Sequence, residues 1–420
     1  MPLRFITAVL PSGPARRPVT LLALGTFALG TDAFVISGVL SEVGSDLGVS
    51  LSVAGLLITV FSGVYAVSAP VSAVLTGRMG RKHSLQLALA IFITANVLSA
   101  LAPGLGVMLA ARALAAVGAG LYTPAAAATA SSIVEPQERG RALTMVLGGL
   151  TIANAIGVPL GTFIGQAVGW RVTFVFVAVL GAIALAGLTY SLGAVPSPGV
   201  ASLRERVSAV AIKGVPTILL SVLITICGVF TLYTYLTWFF DRVGGLTGSV
   251  MTLIYLIFGV TAVICNFSAG WLIDHMSPAR VTTLALSGLL LVQAAFALTA
   301  QLGNGATWAA YVLFCLVALW GLSSWLFYPG QQKRLVALGG PRATVVLSLG
   351  ASALYGGQAL AGGLGGLLVP YGPTAVAIAA GACVLIGLAL HLLSSDREGP
   401  VPESGAPAVP VASPAARTSS

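Results

Sequence analysis

Long apolar segments, interrupted by short polar ones, follow one another along almost the whole chain. A helix needs roughly 20 apolar residues to cross the hydrocarbon core of a bilayer, which is about 30 Å thick. Twelve segments are long enough: residues 18–40, 52–76, 84–103, 105–132, 142–168, 172–194, 216–240, 249–273, 281–301, 307–329, 343–369 and 372–394. The pattern therefore predicts an all-α membrane protein with twelve transmembrane helices.

The composition supports the same prediction. Of the 420 residues, 57% are hydrophobic and 7% are charged, and the mean hydropathy is +1.00. A soluble protein of this length needs more charged residues to cover its surface. The 51 glycines favour helices that pack backbone to backbone. The four cysteines lie within apolar segments and lack the spacing of a metal site, so we expect them to be packing residues.

The positions of the basic residues predict the orientation of the chain. If the N-terminus is cytoplasmic, 17 Lys and Arg residues lie in cytoplasmic segments, two (Arg171 and Arg242) lie outside and one (Arg112) lies within a span, which accounts for all 20. Basic residues concentrate on the cytoplasmic side of membrane proteins, so both termini are expected there. The net charge of +9 then reflects membrane topology, and no nucleic-acid partner is needed to explain it.

The longest predicted cytoplasmic connection divides the twelve spans into two sets of six. The predicted organisation is a cytoplasmic N-terminal tail (1–17), a six-helix bundle (18–194), a cytoplasmic linker (195–215), a second six-helix bundle (216–394) and a disordered cytoplasmic tail (395–420). The halves also resemble each other, because "LTGRMGRKHSL" follows the second span and "GWLIDHMSPAR" follows the eighth. We therefore predict two pseudo-symmetric bundles, an arrangement of transporters whose site lies between the repeats.

Several short motifs resemble those of one transporter family. They are Arg78, Gly80 and Arg81 with Lys82 in the first loop copy, Gly270, Leu272 and Asp274 in the second, Arg112, Gly118 and Gly120 in "RALAAVGAG", and Gly157, Pro159 and Gly161 in "GVPLG". On these residues the chain resembles the major facilitator superfamily, and within it the twelve-span drug:proton antiporters and arabinose-efflux-like permeases. It departs from the family pattern at Gly77, Ala115 and His275, where aspartate, glutamine and arginine are usual.

Asp32, in "LGTDAFVISGVL", and Arg112 are the only ionisable residues predicted deep within spans, and none is predicted to be buried in the second half. Counting the helical rise from the span ends puts Asp32 about 12 Å and Arg112 about 10 Å below the same outer face. We expect them to pair, directly or through water. Burial costs each charge roughly 2.5–3.5 kcal/mol on insertion scales. Two interpretations remain: Asp32 couples transport to protons, or the pair only holds the first and fourth spans together.

Three other sets of residues are candidates for conformational change. Arg78, Gly80 and Arg81 are predicted to form a cytoplasmic gate. The alternative is that these arginines only set the orientation of the chain in the membrane. Asp274 occupies the matching loop of the second half. In the fifth span, Gly157, Pro159 and Gly161 predict a hinge or a seal against a facing helix of the other half, or tight packing alone.

The predicted substrate cavity rests on isolated polar and aromatic residues. The residues are Tyr122, Asn154, Phe230, Tyr233, Thr237, Asn266, Tyr355 and Gln358, of which Phe230, Tyr233 and Thr237 share a helical face. Trp238, Trp325 and Tyr328 lie near span ends and are interpreted as interfacial anchors or packing residues. Because no buried charge is predicted in the second half, we expect a neutral and partly hydrophobic substrate.

The family resemblance implies a monomeric exporter of a small organic compound, such as a drug or antibiotic, in exchange for protons across the bacterial plasma membrane. Export of a sugar or metabolite by the same fold is the alternative. An enzyme is disfavoured because the sequence has no metal cluster, nucleophile–base set or phosphate loop, and no cofactor is predicted. The tail is too short for a sensor domain, and without a nucleotide motif ATP-driven transport is not expected.

Overall fold

The computed structural model describes residues 15–75, 79–193, 195, 208–303 and 305–395. Its long helices are α1 (Arg16–Val35), α2 (Leu56–Leu75), α3 (Arg81–Ala100), α4 (Leu105–Ser132), α5 (Arg139–Ile152 and Val158–Val168, joined by a π-helical turn), α6 (Trp170–Ser191), α7 (Val215–Thr234), α8 (Ser249–His275), α9 (Pro278–Leu302), α10 (Thr307–Gly339), α11 (Ala343–Leu368) and α12 (Pro373–Ser395). No strand occurs among these residues. Most of the predicted linker and nearly all of both predicted tails lie outside the described residues.

Eleven helical stretches of the described chain are long and apolar enough to cross a membrane. One of them, Thr307–Tyr371, has 65 residues and contains two helices, α10 and α11, separated by the turn Gly340–Arg342. The prediction of twelve transmembrane helices is therefore confirmed. The largest difference in bounds is at α10, which continues about three turns beyond the predicted end at residue 329.

The same helix pairs form in both halves. In the first half α1 packs against α5 and α6, α2 against α4, and α3 against α4 and α6. In the second half the helices six places further along pair in the same way: α7 with α11 and α12, α8 with α10, and α9 with α10 and α12. This repetition confirms the two pseudo-symmetric six-helix bundles.

The two halves meet along two helix pairs, α2 with α11 and α5 with α8, which the pseudo-symmetry relates to each other. Small residues allow these helices to touch. A Cβ atom on Gly362 of α11 would lie 2.8 Å from the carbonyl oxygen of Gly55 and 3.1 Å from the backbone nitrogen of Thr59. The Thr59 hydroxyl also donates a hydrogen bond of 2.9 Å to the carbonyl of Ala359.

The two ends of the bundle are named here after the charged residues that they carry. Odd-numbered helices begin at the end that carries Arg81, called the Arg81 end, and even-numbered helices begin at the opposite end, called the Asp46 end. At the Asp46 end, α1 continues through a turn into the short helix Leu40–Asp46. In the second half α7 continues after Tyr235 into the helix Leu236–Gly244.

Candidate functional site

A buried ion pair joins α1 and α4. The Asp32 and Arg112 side chains have no solvent exposure, and Nη1 of Arg112 donates to Oδ1 of Asp32 at 2.8 Å. A parallel bond joins Nη2 to Oδ2 at 3.0 Å, and Nη2 also reaches the Asp32 carbonyl at 3.3 Å. The contact is thus direct and bidentate, the strongest geometry of an arginine with a carboxylate.

The surroundings of this pair are apolar. The guanidinium carbon of Arg112 lies 4.6 Å from the ring centre of Phe61 and 5.7 Å from that of Phe174. Its Nε atom is buried and has no hydrogen-bond partner among the described residues. In such surroundings each ion depends on the other, because removal of one leaves an uncompensated buried charge.

A cavity lies between the halves. Its lining residues are Phe34, Asn154, Ile226, Val229, Phe230, Tyr233, Phe258, Ser324, Trp325, Phe327, Tyr328 and Leu354. Seven of these are aromatic, two of them tyrosines with a hydroxyl group. Asn154 contributes an amide and Ser324 a hydroxyl, and none of the described lining residues is charged. Only Phe34 and Asn154 come from the first half.

Phe34 connects the cavity wall with the ion pair. Its ring stacks on Phe230 of α7 with 5.8 Å between ring centres, and it meets the edge of Tyr233 at 6.3 Å. Phe34 follows Asp32 by two residues near the end of α1. One turn of α1 therefore carries both a cavity-lining ring and the buried carboxylate.

Three of the eight predicted cavity residues, Asn154, Phe230 and Tyr233, line the cavity. Tyr355 stacks on Tyr65 of the other half with 3.7 Å between ring centres. The Thr237 hydroxyl donates to the carbonyl of Ser37 at 3.4 Å, which is a bond between the halves at the Asp46 end.

The remaining three lie elsewhere. The Tyr122 hydroxyl donates to the carbonyl of Leu22 within the first half at 3.1 Å. Asn266 is exposed, and its amide nitrogen lies 3.5 Å from the Thr151 hydroxyl. Gln358 is 1% exposed, and its Oε1 atom has no hydrogen-bond partner within the described chain.

Sequence reasoning missed several lining residues, among them Phe34, Phe258 and Phe327. It also assigned Trp325 and Tyr328 to anchoring or packing, whereas the structure places both side chains at the cavity. The available signal was the concentration of four aromatic residues in the segment "WGLSSWLFYPG".

The predicted gate residues lie at the Arg81 end. Nη1 of Arg81 donates to the carbonyl of Ala128 and, at 2.7 Å, to the hydroxyl of Ser132, so it joins the start of α3 to the end of α4. Gly80 precedes the first residue of α3, and Arg78 lies outside the described residues. The Asp274 carboxylate is 3.6 Å from Nζ of Lys333, and both side chains are exposed.

The glycines of α5 face their own half. A Cβ atom on Gly157 would collide with Thr31 of α1, and one on Gly161 would lie 2.5 Å from Cγ2 of Val35. The expected seal against the other half is made instead by Gly259 of α8, where a Cβ atom would collide with the carbonyl of Asn154. Pro159 is buried immediately after the π-helical turn Ala153–Gly157, a helix irregularity that is frequent at functional sites.

The second half buries a charge, which the sequence analysis did not predict. Arg334 is 3% exposed, and its guanidinium donates to Nδ1 of His391 at 2.7 Å, to Oε1 of Gln331 at 3.0 Å and to the hydroxyl of Ser394 at 2.8 Å. Because a guanidinium can only donate, Nδ1 must accept, so this contact requires a neutral His391. Gln331 and Arg334 are three residues apart, hence on one helical face, and this spacing was a signal in the sequence.

Comparison with known proteins identifies the family. A model described as the Major Facilitator Superfamily matches residues 22–344. The chain belongs to this superfamily. It is therefore a membrane transporter, and the cavity between its halves is the candidate site for a small-molecule substrate.

Three relatives and one solved structure illustrate the match. The chain is 31% identical over 351 residues to the MFS-type transporter YbcL of Bacillus subtilis, covering 84% of this chain and 88% of YbcL. A "Probable sugar efflux transporter" of Mannheimia succiniciproducens is 29% identical over 357 residues, with 84% and 85% coverage. A "Chloramphenicol resistance protein" of Streptomyces lividans is 32% identical over 280 residues, with 66% and 70% coverage.

The solved structure is that of a bacterial homolog of the human lysosomal transporter Spinster. It has a TM-score of 0.70 and 18% identity, and the match covers 92% of this chain and 98% of that one. At this identity the likeness concerns the fold alone.

Proposed function

We propose that this protein exports small, neutral, aromatic or otherwise apolar organic compounds in exchange for protons. The observation that carries the proposal is a cavity between the halves with seven aromatic lining residues, joined through Phe34 to a buried aspartate–arginine pair. The cavity accounts for the substrate class and the ion pair for the coupling.

The cavity lining favours a neutral apolar substrate. A charged molecule would lose its hydration and meet no counter-charge among the described lining residues. A sugar would need partners for several hydroxyl groups, whereas the polar groups of the lining are two tyrosine hydroxyls and the side chains of Asn154 and Ser324. Chloramphenicol is uncharged and carries an aromatic ring, and the Streptomyces lividans relative is named for resistance to it. Chloramphenicol is therefore the first compound to test.

Asp32 is the proposed proton carrier. Its carboxylate binds either the Arg112 guanidinium or a proton, and displacement of α1 at Phe34 shifts the balance between them. One charge that crosses a membrane potential of about 150 mV releases roughly 3.5 kcal/mol. That free energy supports a concentration ratio of about 300-fold, which is sufficient for export.

The proposed cycle is alternating access by rocking of the two halves. The cross-half contacts of Gly362 with Gly55 and Thr59, and of Thr237 with Ser37, lie toward the Asp46 end, so they suit a conformation closed there. We assign the Arg81 end to the cytoplasm of a bacterial plasma membrane, because the basic residues concentrate on that side, and we take the protein to act as a monomer.

The test is chloramphenicol accumulation in proteoliposomes driven by a pH gradient. The wild type should concentrate the compound. Asp32→Asn should exchange it across the membrane without building up a concentration difference, since an amide of the same shape cannot carry the proton. Asp46→Asn removes the same group at an exposed site and should behave like the wild type. Concentrative uptake by Asp32→Asn would show that the coupling site lies elsewhere.

A second pair of variants tests the substrate assignment. Trp325→Ala removes a cavity-lining ring and should weaken chloramphenicol binding about tenfold, which corresponds to about 1.4 kcal/mol of aromatic contact. Trp308→Ala removes a ring that is 45% exposed and should leave binding unchanged. Equal binding by both variants, or binding of a neutral sugar in place of chloramphenicol, would contradict the assignment.

A further inference from the structure

Glu42 carries a carboxylate oxygen for which the structure offers no partner. The residue lies in the short helix Leu40–Asp46 at the Asp46 end, and its Oε2 atom is buried without a hydrogen bond to any described residue. Burial raises the pKa of Glu42 above its ordinary value of 4.5, and a hydrogen bond from its own backbone amide opposes the rise in part. A carboxylate in this position favours its neutral, protonated form.

The surface that covers Glu42 belongs in part to the other half. The helix Leu40–Asp46 contacts the helix Leu236–Gly244, and its residues Leu40 and Val43 are buried in one apolar cluster with Tyr235. The Glu42 carboxylate is also close enough to the Tyr255 hydroxyl of α8 to interact with it electrostatically.

A hydrogen-bonded chain crosses the boundary between the halves beside this carboxylate. The Thr237 hydroxyl lies 3.3 Å from the hydroxyl of Tyr255 and 3.4 Å from the carbonyl of Ser37, the latter in the first half. Separation of the halves at the Asp46 end would break this chain and remove Tyr255 from the surroundings of Glu42. The burial of the carboxylate is therefore a property of the closed arrangement.

The charged groups nearby do not neutralise Glu42. Asp46, one turn further along the same helix, is paired with Arg171, and both side chains are more than 40% exposed. On the helix Leu236–Gly244, Asp241 and Arg242 are exposed. The titratable group facing Glu42 from α8 is the Tyr255 hydroxyl. Within the described chain, no ion pair involves Glu42.

We propose that Glu42 is a second proton-binding site, which takes up a proton when the halves close over the Asp46 end and releases it when that end opens. The proposal rests on the alternating access of the proposed function, but on neither its substrate nor the role of Asp32. In the open arrangement water reaches the carboxylate, which ionises at ordinary pH. Closure removes that water and supplies no cation, so the protonated form is the one that fits the closed state.

The sign of the pH effect follows from this assignment. Glu42 binds its proton more tightly in the closed state, so acid on the Asp46 side stabilises closure. The stabilisation is lost as the pH rises through the pKa that Glu42 has in the closed state. Between that pKa and the ordinary value of 4.5, the ratio of closed to open molecules should change by up to about tenfold for each pH unit.

The experiment measures the distance between the halves directly. Spin labels are placed at Ser45 and Thr247, both exposed at the Asp46 end, in full-length protein whose four native cysteines are replaced. Distance distributions in lipid nanodiscs are then recorded over a series of pH values without substrate. The wild type should shift toward the short distance as the pH falls. Glu42→Gln, which mimics the protonated form, should favour the short distance at every pH.

Further variants isolate Glu42 from other titrating groups. Glu42→Asp keeps a carboxyl group and should retain a pH response, and Glu42→Met provides a second neutral side chain should the Gln variant not fold. Asp46→Asn, an exposed carboxylate on the same short helix, should keep the wild-type profile. A wild-type distribution that ignores pH, or a Glu42→Gln profile equal to the wild type, would each overturn the proposal. Because no substrate or flux enters this readout, its outcome is independent of the transport test.

Discussion

The two halves have the same arrangement of helices but bury their arginines differently. Arg112 on α4 is paired with a carboxylate near the Asp46 end, whereas Arg334 on the related helix α10 lies near the Arg81 end among the neutral acceptors of His391, Gln331 and Ser394. A proton on Asp32 removes a negative charge, which leaves Arg112 free to move. A proton on His391 would instead place a second cation against Arg334.

This difference teaches that duplicated folds need not duplicate chemistry. In the proposed function the first site binds and releases a proton, and its ion pair holds α1 and α4 together when the carboxylate is charged. The second suits a fixed joint, since Arg334 and His391 connect α10 with α12, and His391 also reaches Ala279 and Thr283 of α9. The cavity is also asymmetric, because ten of its twelve lining residues belong to the second half.

The largest effect on this comparison should come from Arg112→Ala. It leaves Asp32 buried without its counter-charge, and we expect a loss of about 3–5 kcal/mol in the free energy of unfolding at neutral pH. Unfolding of the purified protein in detergent measures the loss. Asp46→Asn is the surface control. A change in Arg112→Ala no greater than in that control would mean that the pair does not hold α1 and α4 together.

Arg334→Met should have a smaller effect, because the acceptors described for it on His391, Gln331 and Ser394 are neutral groups. Loss of a donor to His391, Gln331 and Ser394 is expected to cost about 1–3 kcal/mol. Concentrative transport should persist in liposomes, in contrast to Asp32→Asn. Abolished transport in a folded Arg334→Met protein would remove the distinction between a coupling site and a fixed joint.

The double variant Asp32→Asn with Arg112→Gln sharpens the comparison. Replacement of both ions leaves two neutral amides that can bond to each other, so the free energy of unfolding should lie within about 2 kcal/mol of the wild type. Proton-driven accumulation should nevertheless be absent. Stability as low as that of Arg112→Ala would indicate that the arginine matters through its contacts with Phe61 and Phe174 and not through its charge.

The smallest effect is expected at the exposed pair of Asp46 and Arg171. The Arg171 guanidinium, together with a hydrogen bond of 3.2 Å from Trp170, holds the pKa of Asp46 below its ordinary value of 3.8. The pair therefore contributes a little stability at neutral pH, which is lost as the pH falls below 3.8 through the lowered pKa. Asp46→Asn should flatten this acid response. If Asp46→Asn and the wild type lose the same thermal stability between pH 5 and pH 3, the acid response belongs to another group.

Prediction from the sequence succeeded where only the depth of a residue along the helix axis was needed. The level of Asp32 and of Arg112 followed from counting residues from the span ends, and the two side chains meet. It failed where the direction around the axis mattered. Phe34 and Trp325 line the cavity because of the way α1 and α10 are rotated in their bundles, and apolar spans in lipid carry little periodicity to reveal that rotation.

The sequence alone determined the spans, their number and the resemblance between the halves, because long apolar segments have no other stable place than a bilayer and must form helices there. The end of α10 was misjudged because Lys333 and Arg334 indicate a loop unless a neighbouring helix supplies partners for them. Only the tertiary structure decided which polar groups meet. The described acceptors of Arg334 come from α10 itself and from α12, and the groups that surround Glu42 come from both halves, so packing alone brings them together.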